Sequence, residues 1–337
     1  MTSTLPTAAI PRLTTDDVIA ALRKKRSALP FFCMFSSYLG GIVTDPSLMV
    51  LPLDDHMCHR GHAVFDTTGI DKGILYNCAN HVDRLLRSAA TARIPHSFTR
   101  AWLMDVISQT ATAAGKPFAA IRFWISAGPG DFGLSPAGCT EACFTCVVTA
   151  YFPIPSLPIR EVTVKSSTVG MKGSPLATTK SVGYLPNILL HLEAKDRGGV
   201  YGVWIGDDGF AKEGPIDSVV LVKDNCVYSP FPRDVLASCT VARIMELAPT
   251  LGCTAAFKDI PAADLYEADE LFLVGGDTHF FCIRQLDGKP IGYFGDAEKG
   301  AALEDALPQS WFARIRAAVR AESVEAGRSN TIDLGIR

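Results

Sequence analysis

The stretch "SPLATTKSVGYLPNILLHLEAKDRGG", residues 174–199, places a lysine a few residues ahead of an amphipathic helix. Apolar residues at Leu185, Ile188, Leu189 and Leu192 follow the i, i+3, i+4, i+7 spacing of a helix with one buried face. Pro186 suits a first helical turn, and Gly198-Gly199 suits a stop. Lys180 therefore sits just upstream of a helix N-terminus, in a polar "TTKS" with no other charge nearer than Lys172 or His191. The positive end of the helix dipole disfavours a cation there, and an amine held neutral is a nucleophile toward aldehydes. The plain alternative is a solvated loop lysine.

Three more pieces suit the same chemistry. Glu213, in "FAKEGPIDS", offers a carboxylate to a protonated ring nitrogen. Arg84, on a helix in "HVDRLLRS", offers a bidentate fork for a phosphate. In "SCTVARIMELA", Cys239 and Thr240 stand at a helix N-terminus, where backbone N–H groups accept an anion. An aldehyde, a pyridine nitrogen acting as electron sink and a phosphate are the parts of pyridoxal 5'-phosphate. Each residue also has an ordinary reading: Arg84 as a surface helix charge, Glu213 as a strand-edge charge, Thr240 as an N-cap.

Two other motifs point elsewhere. Cys139, Cys143 and Cys146 in "CTEACFTC" have the C-x3-C-x2-C spacing that can hold three irons of a cluster. The run continues as an apolar strand, whose period of two sends Cys143 and Cys146 to opposite faces, so buried small hydrophobes are expected instead. "GPGDFG" matches G-x-G-x-x-G at Gly128, Gly130 and Gly133. No helix pattern opens after it, so it reads as a turn and not a dinucleotide site.

The elements that must carry these residues fill a chain of 337 residues, long enough for two domains. With 48% hydrophobic and 20% charged residues the chain reads as an ordinary globular protein. A net charge of -3 gives no basic footprint for nucleic acid, and no apolar run is long enough for a membrane span. The other seven of the ten cysteines are scattered without metal-ligand spacing, and so many thiols suggest a reducing compartment. The opening "MTSTLPTAAIPRLTTDD" lacks an apolar signal core, which favours a cytoplasmic protein with a frayed N-terminus over one with an organellar transit peptide. Helices are predicted at 14–28, around Val82, Leu85, Leu86 and Ala89, at 99–114, after Lys180, at 240–250 and at about 304–326. Strands are predicted in "FCMFSSYLGGIVT", "LMVLPLDD", "AAIRFWISA", "ACFTCVVTAYF", "EVTVKSS", "VYGVWIG", "FAKEG", "SVVLVKD", "LFLVGG" and "HFFCIRQLDG". "FPIPSLPIRE" is the best linker, which divides the chain into an N-terminal α+β domain (1–151), a connection (152–158) and a C-terminal α/β domain (159–337) with the lysine.

In order and local sequence these pieces resemble the class IV, or fold type IV, pyridoxal-phosphate enzymes. The likeness runs through "FSSYLGGIVTDPSLMVLPLDDHMCHRGHAVFDT", "NHVDRLLRSA", "IRFWISAGPGDFGLSPAG", "ATTKSVGYLPNILLHLEA" and "AKEGPIDSV", roughly residues 33 to 280, and is nearest to plant-type D-amino-acid transaminases. The resemblance implies the two-domain D-amino-acid aminotransferase-like fold, α+β / α/β in class, and a homodimer. It makes Lys180 the Schiff-base lysine and catalytic acid-base, pairs Glu213 with the pyridine nitrogen, gives the phosphate to Arg84 with Cys239 and Thr240, and sets Tyr184 against the cofactor's phenolic oxygen. It departs at Asp217-Ser218, where the family commonly has Asn, and at Gly276-Asp277, where a hydroxyl is expected and Thr278 stands as substitute. The Arg and His that trap the substrate carboxylate in bacterial D-amino-acid enzymes are replaced by Ala127, Gly128 and Pro129, which leaves Arg60, His62 and Arg122 as candidates. The implied reaction is transfer of an amino group from a D-amino acid such as D-alanine to a 2-oxo acid. Aminodeoxychorismate lyase, branched-chain aminotransferase and a weakly catalytic cofactor-binding protein are the alternatives. No metal is expected.

Overall fold

The computed structural model describes residues 10–150, 162–163, 169–276, 279–295, 310–328 and 330–336. The expected linker at 152–158, and Asp277 and Thr278, lie outside them. The first half opens with helix α1 (Thr15–Arg26), then strands β1 (Phe31–Ser36) and β2 (Gly41–Val43) and a short helix α2 (His56–Arg60). Strands β3 (Ala63–Asp71) and β4 (Ile74–Tyr76), helices α3 (Cys78–Thr91) and α4 (Arg100–Ala114), and strands β5 (Ala119–Ser126) and β6 (Cys143–Thr149) follow. The second half holds β7 (Val162–Thr163), α5 (Leu185–Asp196), β8 (Tyr201–Gly202), β9 (Ser218–Lys223), β10 (Cys226–Ser229), α6 (Cys239–Leu247) and β11 (Thr254–Phe257). Strands β12 (Glu270–Gly275), β13 (His279–Cys282), β14 (Gln285–Leu286) and β15 (Lys289–Pro290), a C-terminal helix (Trp311–Ser323) and β16 (Thr331–Asp333) complete it.

A seven-stranded sheet runs β16-β4-β3-β5-β6-β1-β2, and every neighbouring pair in it is antiparallel. Alternation along β5 sends Ile121, Phe123 and Ile125 into the core under α3 and α4, where they meet Leu85, Leu103 and Ile107. The in-between residues Arg122 and Trp124 take the other face, directly across from Thr67 and Phe65 of β3. This register lets one sheet build a core on one side and a site on the other. Full burial of Leu85 contributes roughly 1.5–3 kcal/mol of transfer free energy, and Leu85→Ala would cost about 2–5 kcal/mol.

The second half has a five-stranded sheet, β11-β10-β9-β12-β13, and a four-stranded one, β15-β14-β7-β8. Val220, Val222, Phe272 and Val274 pack against α6 and the C-terminal helix. Two expectations need correction. "LMVLPLDD" is no strand: Asp45 caps a 3-10 turn at Pro46–Leu48, and Pro52 has no N–H to give a ladder. The chain's last residues, assigned to the C-terminal domain with no strand expected among them, form a strand that crosses back to the first sheet, pairing Ile332 with Leu75, while Asn77 N–H donates to the Asn330 carbonyl at 2.6 Å. No helix among the described residues is long and apolar enough to cross a membrane.

Candidate functional site

Lys180 is held by β3 and α3. Phe65 N–H donates to its carbonyl at 2.9 Å, its own N–H donates to Ser88 Oγ at 3.2 Å, and Val182 N–H donates to Ala63 at 3.1 Å, so 180–182 extend the rim of β3. Its Nζ donates to Tyr184 Oη at 3.4 Å and lies 4.8 Å from the Phe65 ring. As expected, α5 starts just beyond it. The expected burial of α5 is corrected: Asn187, Leu190 and Ala194 face inward, and Leu185, Ile188, Leu189 and Leu192 are 65%, 51%, 42% and 48% exposed.

Glu213 lies on a tight hairpin. Gly214 N–H donates to the Asp217 carbonyl at 2.8 Å, and Pro215 fixes the turn with Ile216 at its tip. The carboxylate of Glu213, 6% exposed, accepts from Leu236 N–H at 3.1 Å. Burial pushes its pKa up, against the opposing pull of Lys172, the Leu236 N–H, Lys180 and Arg84. The next residue, Ala237, accepts from Arg84 Nη1 at 3.0 Å, and Ser238 then caps α6 by accepting from Val241 N–H. The three residues Leu236, Ala237 and Ser238 thus join Glu213, Arg84 and the first turn of α6, where Cys239 and Thr240 are buried.

Arg84 is more committed than the sequence suggests. Its Nε and Nη2 donate to the two oxygens of buried Asp66 at 2.8 and 2.7 Å, and His81 Nδ1 lies 2.8 Å from the same carboxylate. Burial opposes ionisation of Asp66, but Arg84 and His81 win and hold its pKa well below the usual carboxylate range. Sequence reasoning missed Asp66. Its signal was present, an acid on the buried side of β3 facing two basic residues one turn apart on α3.

These residues surround a cavity of about 370 Å³ that Phe65, Asp66, Arg84, Arg122, Lys180 and Tyr184 help to line. A smaller one of about 20 Å³ beside it touches Lys172, Lys180, Tyr184, Glu213 and Asp217. Arg122 Nε is 3.4 Å from Thr67 Oγ1, and among the described residues no carboxylate pairs with it. The other two carboxylate candidates are elsewhere. Arg60 donates to the carbonyls of Gly133 and Phe132 at 3.2 and 2.8 Å, closing the "GPGDFG" turn. His62 faces His56 at 3.1 Å and the Ala92 carbonyl at 2.8 Å, so neither lines the cavity with Lys180. Among the described residues no group of His, Cys, Asp and Glu could hold a metal, and none of the ten cysteines is in a disulfide.

The residues fit a phosphorylated pyridine aldehyde. An amine, a buried carboxylate and a helix N-terminus are held together, and beside them lie buried polar atoms without partners among the described residues: Asn187 Oδ1 and both oxygens of Asp217. Comparison with known proteins agrees. The family model for amino-transferase class IV matches residues 63–286. The chain is 39% identical over 306 residues to a chloroplastic D-amino-acid transaminase of Arabidopsis thaliana, covering 88% of this chain and 81% of that one. It is 28% identical over 259 residues to a putative branched-chain-amino-acid aminotransferase of Methanocaldococcus jannaschii, covering 75% of this chain and 88% of that one. The fold superposes on a branched-chain aminotransferase from the thermophilic archaeon Thermoproteus uzoniensis, solved with norvaline, with TM-score 0.78 at 20% identity over 90% of this chain and 99% of that one. The chain belongs to the class IV aminotransferases and is a pyridoxal-phosphate-dependent enzyme of fold type IV.

Proposed function

We propose that the enzyme transfers the amino group of a D-amino acid such as D-alanine to a 2-oxo acid. The observation that carries this reading is Arg122, an arginine without an acidic partner among the described residues, on the wall of the cavity that holds Lys180. Its fork suits a substrate carboxylate. The D preference is supported by the 39% identity to the plant transaminase. When bound, pyridoxal phosphate supplies an aldehyde and a ring that withdraws electrons from the substrate's Cα. Lys180 would carry the cofactor and, once its amine is free, move the Cα proton as general acid-base. Glu213 would keep a proton on the ring nitrogen. Arg84 would reach the phosphate while anchored by Asp66, beside the N–H groups of Cys239 and Thr240. Tyr184 would hold the phenolic oxygen, and Thr278 would add a hydroxyl from outside the described residues. The exposed stripe of Leu185, Ile188, Leu189 and Leu192 supports a homodimer.

The test is to assay D-alanine, L-branched-chain amino acids and aminodeoxychorismate side by side, with 2-oxoglutarate as acceptor for the amino acids. D-alanine should be the better donor, and Arg122→Ala should lower kcat/KM for it roughly tenfold or more, the size of a lost charge-assisted hydrogen bond. A preference for an L-branched-chain donor, or turnover of aminodeoxychorismate alone, would overturn the choice of substrate and leave the cofactor site standing.

A further inference from the structure

The cavity that holds Lys180 opens onto a second, more apolar chamber of about 590 Å³, and Thr67, Arg122, Trp124, Gly276 and His279 are walls of both. The register of the seven-stranded sheet lays out the chamber's floor in rows. At the level of Lys180, whose carbonyl accepts from Phe65 N–H, the row is Phe65, Trp124 and Thr145. The next runs Thr67, Arg122, Val147 and Met34, and the third runs Gly69, Ala120, Thr149 and Phe31. Residues two apart on a strand are about 7 Å apart. Arg122 thus stands between Lys180 and a stretch of floor where β3 and β5 present only a glycine and an alanine. The backbone does not demand that glycine. Its φ is outside the left-handed region, and an added Cβ would meet only the Ala119 carbonyl, at an ordinary 3.7 Å. Glycine inside a strand weakens it, so this position gives up sheet stability and leaves a recess above the floor. Met34, Met49 and Met57 wall the chamber, and flexible thioethers fit themselves to an apolar chain. Arg26, also on its wall, already donates from Nε and Nη2 to the carbonyls of Pro46 and Met49 at 3.4 and 3.2 Å.

We propose that this chamber takes the side chain of the amino donor, and that the preferred donors carry a long, unbranched apolar side chain. The proposal rests on the reading of Arg122 as the partner of the substrate carboxylate. With the cofactor in the cavity beside Lys180 and the carboxylate on the wall that the two spaces share, the substrate's Cα lies at their junction. Its side chain then continues past Val147 toward Gly69 and Ala120. The methyl group of alanine stops short of the recess, whereas a four-carbon chain extends into it. Each methylene that leaves water for this wall strengthens binding about three- to fourfold. A second carboxylate at the end of the chain would lose its hydration against methionines, which disfavours dicarboxylic donors.

The test uses the full-length enzyme loaded with pyridoxal phosphate. Its reaction with D-alanine, D-2-aminobutyrate, D-norvaline and D-norleucine is followed without acceptor, from the loss of the bound cofactor's aldehyde absorbance. The specificity constant should rise roughly thirty- to sixtyfold from D-alanine to D-norleucine, the product of three methylene steps. Calorimetric Kd values for propionate, butyrate, pentanoate and hexanoate, which bind without turnover, should fall by the same steps. Gly69→Val and Ala120→Leu, made separately, fill the recess from two strands, and each should bring the ratio of D-norleucine to D-alanine down to about one methylene step or less. A flat or falling series in the wild type, a ratio unchanged in both variants, or D-glutamate reacting faster than D-norleucine would overturn the proposal and leave the transaminase reading standing. If no D-amino acid reacts, that reading fails, and the carboxylate series then decides the chamber alone: Kd values independent of chain length would overturn it.

Discussion

Two buried polar clusters lie near Lys180, one at the cavity of about 370 Å³ and one at that of about 20 Å³, and they are built on opposite principles. In the first, Asp66 accepts from Arg84 Nε and Nη2 and from Thr67 N–H, and contacts His81, all within 2.7–2.8 Å. Every demand of the buried carboxylate is met inside the chain. In the second, Asp217 has no partner among the described residues, Asn187 uses its Nδ2 on the Pro215 carbonyl and leaves Oδ1 alone, and Glu213 has the Leu236 N–H. Leaving a buried polar group unpaired costs about 1–3 kcal/mol, so such a cluster is held at the expense of fold stability. The first holds Arg84 in place from within the chain, and the second leaves polar atoms open.

The largest expected effect falls on the unsatisfied side. Lys180→Ala removes the amine and the proton carrier, and kcat should fall by at least the roughly 10²–10⁴-fold of a lost general base. Borohydride reduction of the wild type with pyridoxal phosphate should label Lys180, and the variant should show no label. An adduct at Lys172, which lines the same small cavity, would break the assignment. Folding stability should hardly change, because the side chain makes one long hydrogen bond of 3.4 Å.

The satisfied cluster should respond in the reverse way, through stability. Asp66→Asn leaves the Arg84 guanidinium buried without its counter-charge, a change of about 3–5 kcal/mol in urea-unfolding free energy. The pH dependence has the matching sign. Because the folded pKa of Asp66 lies below its unfolded value, the ion pair's stabilisation is fully present above the ordinary carboxylate range near pH 4 and is lost as pH falls below it. Asp66→Asn should flatten that acid limb. If it lowers activity without touching stability, the cluster is part of the site and the comparison fails.

How far the sequence revealed these clusters follows from what each level of order requires. The helix after Lys180, the strand carrying Arg122 and the helix opening at Cys239 were legible because their apolar periods and caps are local. Lys180, Glu213 and Arg84 were legible because their types and order resemble a family. The commitment of Arg84 to Asp66 was hidden, since it depends on α3 lying over β3, and spacing along one chain does not report packing between two elements. That Arg60 and His62 do not line the cavity with Lys180 was hidden for the same reason. They sit beside chemically relevant sequence, yet α2 ends in a left-handed turn at Gly61 that turns Arg60 toward the loop at Phe132 and Gly133. The α5 stripe had the correct period with the wrong neighbour. Hydrophobic periodicity identifies a face that avoids water and does not say whether its own domain or a second copy covers it.

The smallest effect should come from Tyr184, which bridges Lys180 and the aromatic wall. Its Oη accepts from Lys180 Nζ at 3.4 Å, long for such a bond, while its ring lies edge-on to Phe65 at 5.2 Å and under Lys172 Nζ at 5.3 Å. Tyr184→Phe keeps both ring contacts and deletes only the hydroxyl. The loss is then that of one weak hydrogen bond, about 0.5–1.5 kcal/mol, or roughly two- to tenfold in kcat/KM. Stability should stay within about 0.5 kcal/mol of wild type, because a side chain with no capping bond to α5 leaves that helix as it was. A loss of a hundredfold or more would place the hydroxyl in the proton-moving machinery, and would move Tyr184 from the wall of the cavity into the group of residues that the bound cofactor completes.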